Sequence, residues 1–237
     1  MRIRPWPEVK FVTRPPARAN PSAADADEVC RILATIGAAS SLATANVLAG
    51  MLHEDGGQFA EAVVRYRAGA RGLEEHGASP TATRYKLGRS MLAAGDAVEA
   101  VEVLHEVYGA ETEAEEPPAS RAQTLMLLSR AFEAAEQYGN AVWAWGNAAE
   151  LADEGEAEAL AASALVNRGR LLMGLGEPTD AVGSLEPALE KARRNADDVG
   201  LQLHELGAQL LWRHMHCHRI DEVDVVEALG LQAAGQI

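Results

Sequence analysis

Three arginines recur in one register along this chain. Arg89, Arg130 and Arg170 each follow a small residue: Gly88, Ser129 or Gly169. Four residues earlier stand Tyr85, Met126 and Val166, and four later stand Ala93, Ala134 and Gly174, so on a helix each stripe reads bulky, cationic, small. A planar guanidinium bonds a carboxylate or phosphate in a fork. Three of them in a row, on a chain of net charge −14, would form a local positive track for an acidic segment. The competing expectation is that each arginine pairs with one of the many neighbouring acids and is ordinary solvated surface.

The other residues with chemical capacity point nowhere so definite. His214, Met215, His216, Cys217 and His218 form the densest histidine cluster, and on a helix His214 and His218 would share a face, as a transition-metal pair needs. The nearest third ligand, His204, stands almost three turns back, so the expectation is no metal and no cofactor. His53-Glu54, His105-Glu106 and His204-Glu205 open like a zinc-protease motif, but none has a second histidine four residues after the first. No phosphate-cradling glycine loop and no nucleophile elbow occurs, so the chain is expected not to be an enzyme.

The elements that would position the arginines follow from composition and spacing. At 237 residues, 48% apolar and only 5% aromatic, the chain can bury a sizeable core, and its abundant alanine favours closely packed helices over a β-sandwich or barrel. Its acidity opposes nucleic-acid phosphates, which are bound by clustered Lys and Arg. Two distant cysteines, Cys30 and Cys217, form no disulfide framework, and a reducing cytoplasm fits best. Residues 32–52 carry no charge and are long enough to span a bilayer, but Thr35, Ser40, Ser41, Thr44 and Asn46 among them argue against insertion. The first 21 residues hold Pro5, Pro7, Pro15, Pro16 and Pro21 with Arg2, Arg4, Lys10, Arg14 and Arg18, and read as an extended basic arm without a secretory signal.

A repeat runs through the middle. Gly50, Gly88, Ser129 and Gly169 are each followed after twelve residues by an alanine: Ala62, Ala100, Ala141 and Ala181. Between them lie the turn signals Gly57-Gln58, Gly95-Asp96, Glu136-Gln137 and Gly176-Glu177. Each unit is therefore expected to be a helical hairpin. The small residue lets two helices approach. His53, Met91, Phe132 and Leu172 on one side, with Tyr66, Leu104, Trp145 and Leu185 on the other, fill the space beside the crossing. The acidic run Glu111, Glu113, Glu115, Glu116 before Pro117-Pro118 is expected to be a solvated loop between the second and third units.

This pattern resembles the tetratricopeptide repeat family. The motif is carried by Leu87-Gly88 with Ala100 and Leu104, by Leu128-Ser129 with Ala141, Trp145 and Ala148, and by Gly169 with Ala181, Leu185 and Ala188. Spacings of 38, 41 and 40 between the alanines exceed the familiar 34, so helices or connectors must be longer, as in the kinesin-light-chain-like long-repeat variety. HEAT and armadillo repeats share that length but lack the constant small-to-alanine offset. Arg168 stands where the family has Leu, and Gly69 where the first repeat should have its second Ala. The resemblance implies an all-α fold, a right-handed solenoid of antiparallel helical hairpins, with the arginine register facing its concave groove. Val47 and Met51 occupy the places where chaperone-binding relatives carry Lys and Asn, which argues against that mode of binding.

The expected organisation is an arm over residues 1–21, an N-terminal capping helix within 22–42 starting at Ser22, and repeats over 43–237. The last of these is an atypical capping hairpin starting at Leu206-Gly207. The expected function is a non-catalytic, cytoplasmic protein- or peptide-binding scaffold using Arg89, Arg130 and Arg170 with Tyr85, Met126 and Val166, and binding neither nucleic acid nor membrane. The alternative is a peptide-sensing regulatory module, and a metal-dependent protein using the histidine cluster ranks lowest. Trp143 cannot share a face with Trp145, so it is either an exposed anchor for a partner or for self-association, or a cover for the next repeat. Abundant arginine against only three lysines hints at a GC-rich bacterial genome.

Overall fold

The computed structural model describes residues 22–195 of the chain. They form α1 (Ala23–Thr35), α2 (Ala39–Asp55), α3 (Phe59–Glu75), α4 (Thr81–Ala94), α5 (Ala97–Glu113), α6 (Pro118–Ala134), α7 (Tyr138–Glu154), α8 (Glu158–Leu175) and α9 (Pro178–Asn195), with no strand among the described residues. The basic arm, the fifth hairpin and the His204–His218 region lie outside them. The helices fall into two compact units divided between Ala78 and Ser79. In the first, α2 packs against both α1 and α3. In the second, each helix from α4 to α9 packs on the next, and α6 also touches α4 and α8.

The hairpins are built as the spacing predicts. Ala62, Ala100, Ala141 and Ala181 are 0% exposed. A methyl added at Gly50 would stand 2.7 Å from the Tyr66 ring, one at Gly88 2.6 Å from Leu104 Cγ, and one at Gly169 2.6 Å from Leu185 Cγ. The small residue and the bulky one sixteen positions on are thus direct partners at each of these crossings. Where the bulky partner has a polar tip, the chain supplies an acceptor. The Tyr66 hydroxyl donates to Glu54 Oε2 (2.8 Å) and the Trp145 indole N–H to Glu133 Oε1 (2.7 Å). In the α4/α5 and α8/α9 hairpins the bulky partner is Leu, and the residue corresponding to those glutamates is Leu92 or Met173. A buried hydroxyl or indole N–H left unpaired would be costly, so the two positions change together.

Helix ends explain the longer repeat. Five of the helices have 17 residues, whereas the α2–α3 connector is only 56–58 and the α6–α7 connector 135–137. The extra length therefore lies in the helices. Each turn carries one left-handed residue, followed by an N–H that reaches the carbonyl five residues back, as with Asp96 N to Met91 O (2.9 Å) and Gln137 N to Phe132 O (2.8 Å). Gly95 takes this position without strain at φ 96°, while Glu136 takes it at φ 59° with a side chain that disfavours it. At the start of α1, Ser22 forms the capping box: its hydroxyl accepts from the Asp25 N–H (3.2 Å) and the Asp25 carboxylate accepts from the Ser22 N–H (3.0 Å).

One sequence expectation needs correction here. The acidic run is not a loop: α5 continues through Glu113, only 114–117 form the turn, and Pro118 opens α6. Proline fits there because the first helical N–H lacks an intrahelical partner anyway. The turn at Gly37 divides the uncharged stretch 32–52 between α1 and α2, and no described helix is long and apolar enough to cross a membrane. In the first unit, Gly69 replaces alanine because a Cβ there would lie 2.7 Å from Val47 Cγ2.

Candidate functional site

The second unit segregates its charge by helix. Helices α4, α6 and α8 carry Arg84, Lys86, Arg89, Arg121, Arg130, Arg168 and Arg170 against only Glu133 and Glu158. Helices α5 and α7 carry no Lys or Arg, but have Glu99, Glu102, Glu106, Glu111, Glu113, Glu150, Asp153 and Glu154. An acidic chain thus holds one row of helices that is locally basic.

Arg89, Arg130 and Arg170 are all exposed, but their surroundings differ. Arg130 has no hydrogen-bond or ion-pair partner among the described residues. Arg89 is held by a neighbouring group. Arg170 reaches from α8 to Glu133 on α6 (2.5 Å), whose other oxygen takes the Trp145 indole. The expected row of three free guanidiniums is therefore reduced, because Glu133, placed to satisfy a buried tryptophan, also captures Arg170.

Tyr85 on α4 is half-buried between these groups. Burial pushes its hydroxyl above the ordinary tyrosine pKa and Glu111 adds to this, while the Arg89 and Arg130 guanidiniums oppose it. Tyr85, Arg89, Arg130 and Glu111 thus share one neighbourhood. Met126 on α6 is also half-buried. Val166 is not part of the face: at 8% exposure it packs with Ala188 and Ala192 of α9, because it faces its own hairpin partner.

Glu111 escaped the sequence reading. It stands in the helical register where later repeats have the buried Ala152 and Ala192, and its Oε1 accepts from the Thr124 hydroxyl (3.0 Å). Its Oε2 has no partner among the described residues. Burial raises its pKa above the usual carboxylate value, with repulsion from Glu116, against the Thr124 hydrogen bond and Arg121. Aligning the repeats would have found it, had the acidic run not been assigned to a loop.

Two cavities lie away from the arginines. A depression of about 870 Å³ at the α7–α8 turn is lined by Asp153, Glu156 and Glu158 among others, but Asp153 is paired with Lys191 and Glu158 with Arg194. A cleft of about 360 Å³ is lined by Val101, His105 and Tyr108 of α5, Leu128 and Phe132 of α6, and Asn140 and Trp143 of α7. Trp143 is 57% exposed, which favours the anchor over the cover. No group of three potential metal ligands occurs among the described residues. The histidine cluster lies outside them.

No protein-family model matches the chain, and no curated protein matches it by sequence. Solved structures do match. BtubC (BKLC) from P. vanneervenii is 18% identical, with a TM-score of 0.62 over 91% of this chain and 92% of that one. A Podosopora anserina protein described as a kinesin light chain with nearly identical TPR-like repeats is 20% identical, with a TM-score of 0.63 over 83% and 99%. A Rap protein complexed with competence and sporulation factor is 17% identical, with a TM-score of 0.54 over 90% of this chain but 58% of that one. At these identities the likeness is one of architecture, and the architecture is the tetratricopeptide-like solenoid of helical hairpins.

Proposed function

We propose that the chain is a non-catalytic protein- and peptide-binding scaffold, and that the face of α4, α6 and α8 receives an acidic segment. Arg130 is the central contact, with Arg89, Tyr85 and Met126 beside it and Arg170 available at the cost of its bond to Glu133. The observation that carries this reading is an exposed Arg130, without a partner among the described residues, next to a half-buried Tyr85, in a chain whose acids otherwise far outnumber its bases. A carboxylate-rich strand is the natural complement of that spot. The fold likeness to a Rap protein complexed with competence and sporulation factor supports a second reading, in which peptide binding regulates rather than scaffolds.

The test is titration of a fluorescein-labelled, extended Glu-Ser synthetic peptide against the wild-type chain and Arg130→Glu. Losing a charge-assisted hydrogen bond costs about 1.5–3 kcal/mol, so the variant should bind about tenfold more weakly or worse, and wild-type binding should fall with added salt. A folded Arg130→Glu that binds the peptide undiminished would remove this face from consideration.

A further inference from the structure

The cleft beneath Trp143 lies on the other side of α6 from Arg130. Its floor residue Leu128 precedes Arg130 by two positions, a rotation of about 200° on a helix. Leu128 and Phe132 are buried at the floor, and Val101 and Tyr108 form one wall. The opposite wall is the Trp143 indole, which leaves over half its surface in water. An exposed indole at the mouth of an apolar cleft is the type of anchor that dominates binding energy when covered.

The charge around it selects what can cover it. The two helices that flank the cleft, α5 and α7, contain no Lys or Arg, and His105 of α5 lines the cleft itself. Glu102 follows Val101 directly, and Glu136 stands at the turn into α7; both are exposed, with no ion-pair partner among the described residues. An anionic lipid surface or a nucleic acid would be repelled by this rim. A cationic segment is attracted, and a guanidinium or ammonium can also rest on the indole face. We infer that this cleft is a second docking site, which takes a basic segment of a partner protein anchored by one aliphatic or aromatic side chain. The second unit would then hold an acidic segment on one face and a basic one on the other.

The experiment uses the full chain and a fluorescein-labelled twelve-residue synthetic peptide with a central Leu-Phe pair flanked by Arg and Lys. Trp143→Ala, at an exposed position and at constant net charge, should weaken binding by about tenfold or more while leaving thermal unfolding unchanged. Trp143→Phe should retain most of the affinity, Glu102→Lys should lose several-fold, and Arg130→Glu should change nothing. Undiminished binding by Trp143→Ala would reduce the attraction to bulk charge and overturn the site. Concentration-dependent dimers that Trp143→Ala dissolves would assign the cleft to a second copy and overturn the partner.

Discussion

The two helix rows of the second unit share one set of crossings and differ in what they present to solvent. Helices α4, α6 and α8 spend their inner register on small residues and the next position on arginine; α5 and α7 spend theirs on buried alanines and leave glutamates and Trp143 outside. The same tight packing therefore supports faces of opposite charge. A repeat protein can acquire such polarity cheaply, because exposed positions are nearly free of packing constraints while the crossing residues are not.

The largest effect should come from the crossings that both faces depend on. Ala141→Leu adds volume where there is none and should destabilise by about 1–3 kcal/mol, lowering the melting temperature by several degrees and weakening both probe peptides together. An unchanged melting temperature would mean that the faces are not tied to the crossings.

Next in size is the independence of the two faces. Arg130→Glu should reduce binding of the Glu-Ser peptide about tenfold and leave the basic peptide alone, and Glu102→Lys should do the reverse by several-fold. If either variant alters both peptides equally, net charge rather than local arrangement governs binding, and the comparison collapses.

Glu111 sharpens the comparison from inside, being an acid of the α5 row turned into the packing. Its folded-state pKa is raised by burial above the ordinary glutamate value, so the native state takes up the proton first. The resulting stabilisation is complete below the unfolded pKa and is lost as pH rises through the folded one. Glu111→Gln should therefore be more stable than wild type near neutrality, by under about 1 kcal/mol, with the gap closing as pH falls toward the ordinary glutamate range. Urea unfolding of both chains across that range measures it, and a constant gap would contradict the burial argument.

The smallest effect concerns the turn from α6 into α7. Glu136→Gly removes a side chain from a left-handed backbone position, offset partly by greater freedom of the unfolded chain, and should stabilise by about 0.5–1 kcal/mol. A loss of stability would show that the Glu136 side chain contributes more than its backbone strain costs.

Much was readable in order along the chain. The offset between small residue and alanine, the glycines at turns and the bulky residue four past each alanine are local facts, because helix periodicity converts spacing directly into which side meets which. Even the first hairpin, weakest by motif, is packed by Gly50 against Tyr66. The arginine register was visible for the same reason. Its fate was not: Arg170 meets Glu133, 37 positions earlier, and only the stacking of α8 beside α6 brings them together. Val166 was misplaced because one register position can turn toward its own hairpin partner or toward open space, depending on how neighbours pack. Glu111 was missed because an acid in a polar run looks solvated until the helix that carries it is extended and set against Thr124. By itself the sequence determined the repeat, its crossings and its turns, since these follow from periodicity and side-chain volume. Which arginine lacks a partner among the described residues, which acid turns into the packing and where an apolar cleft opens were decided only by the tertiary structure, because each depends on side chains from helices that no local spacing relates.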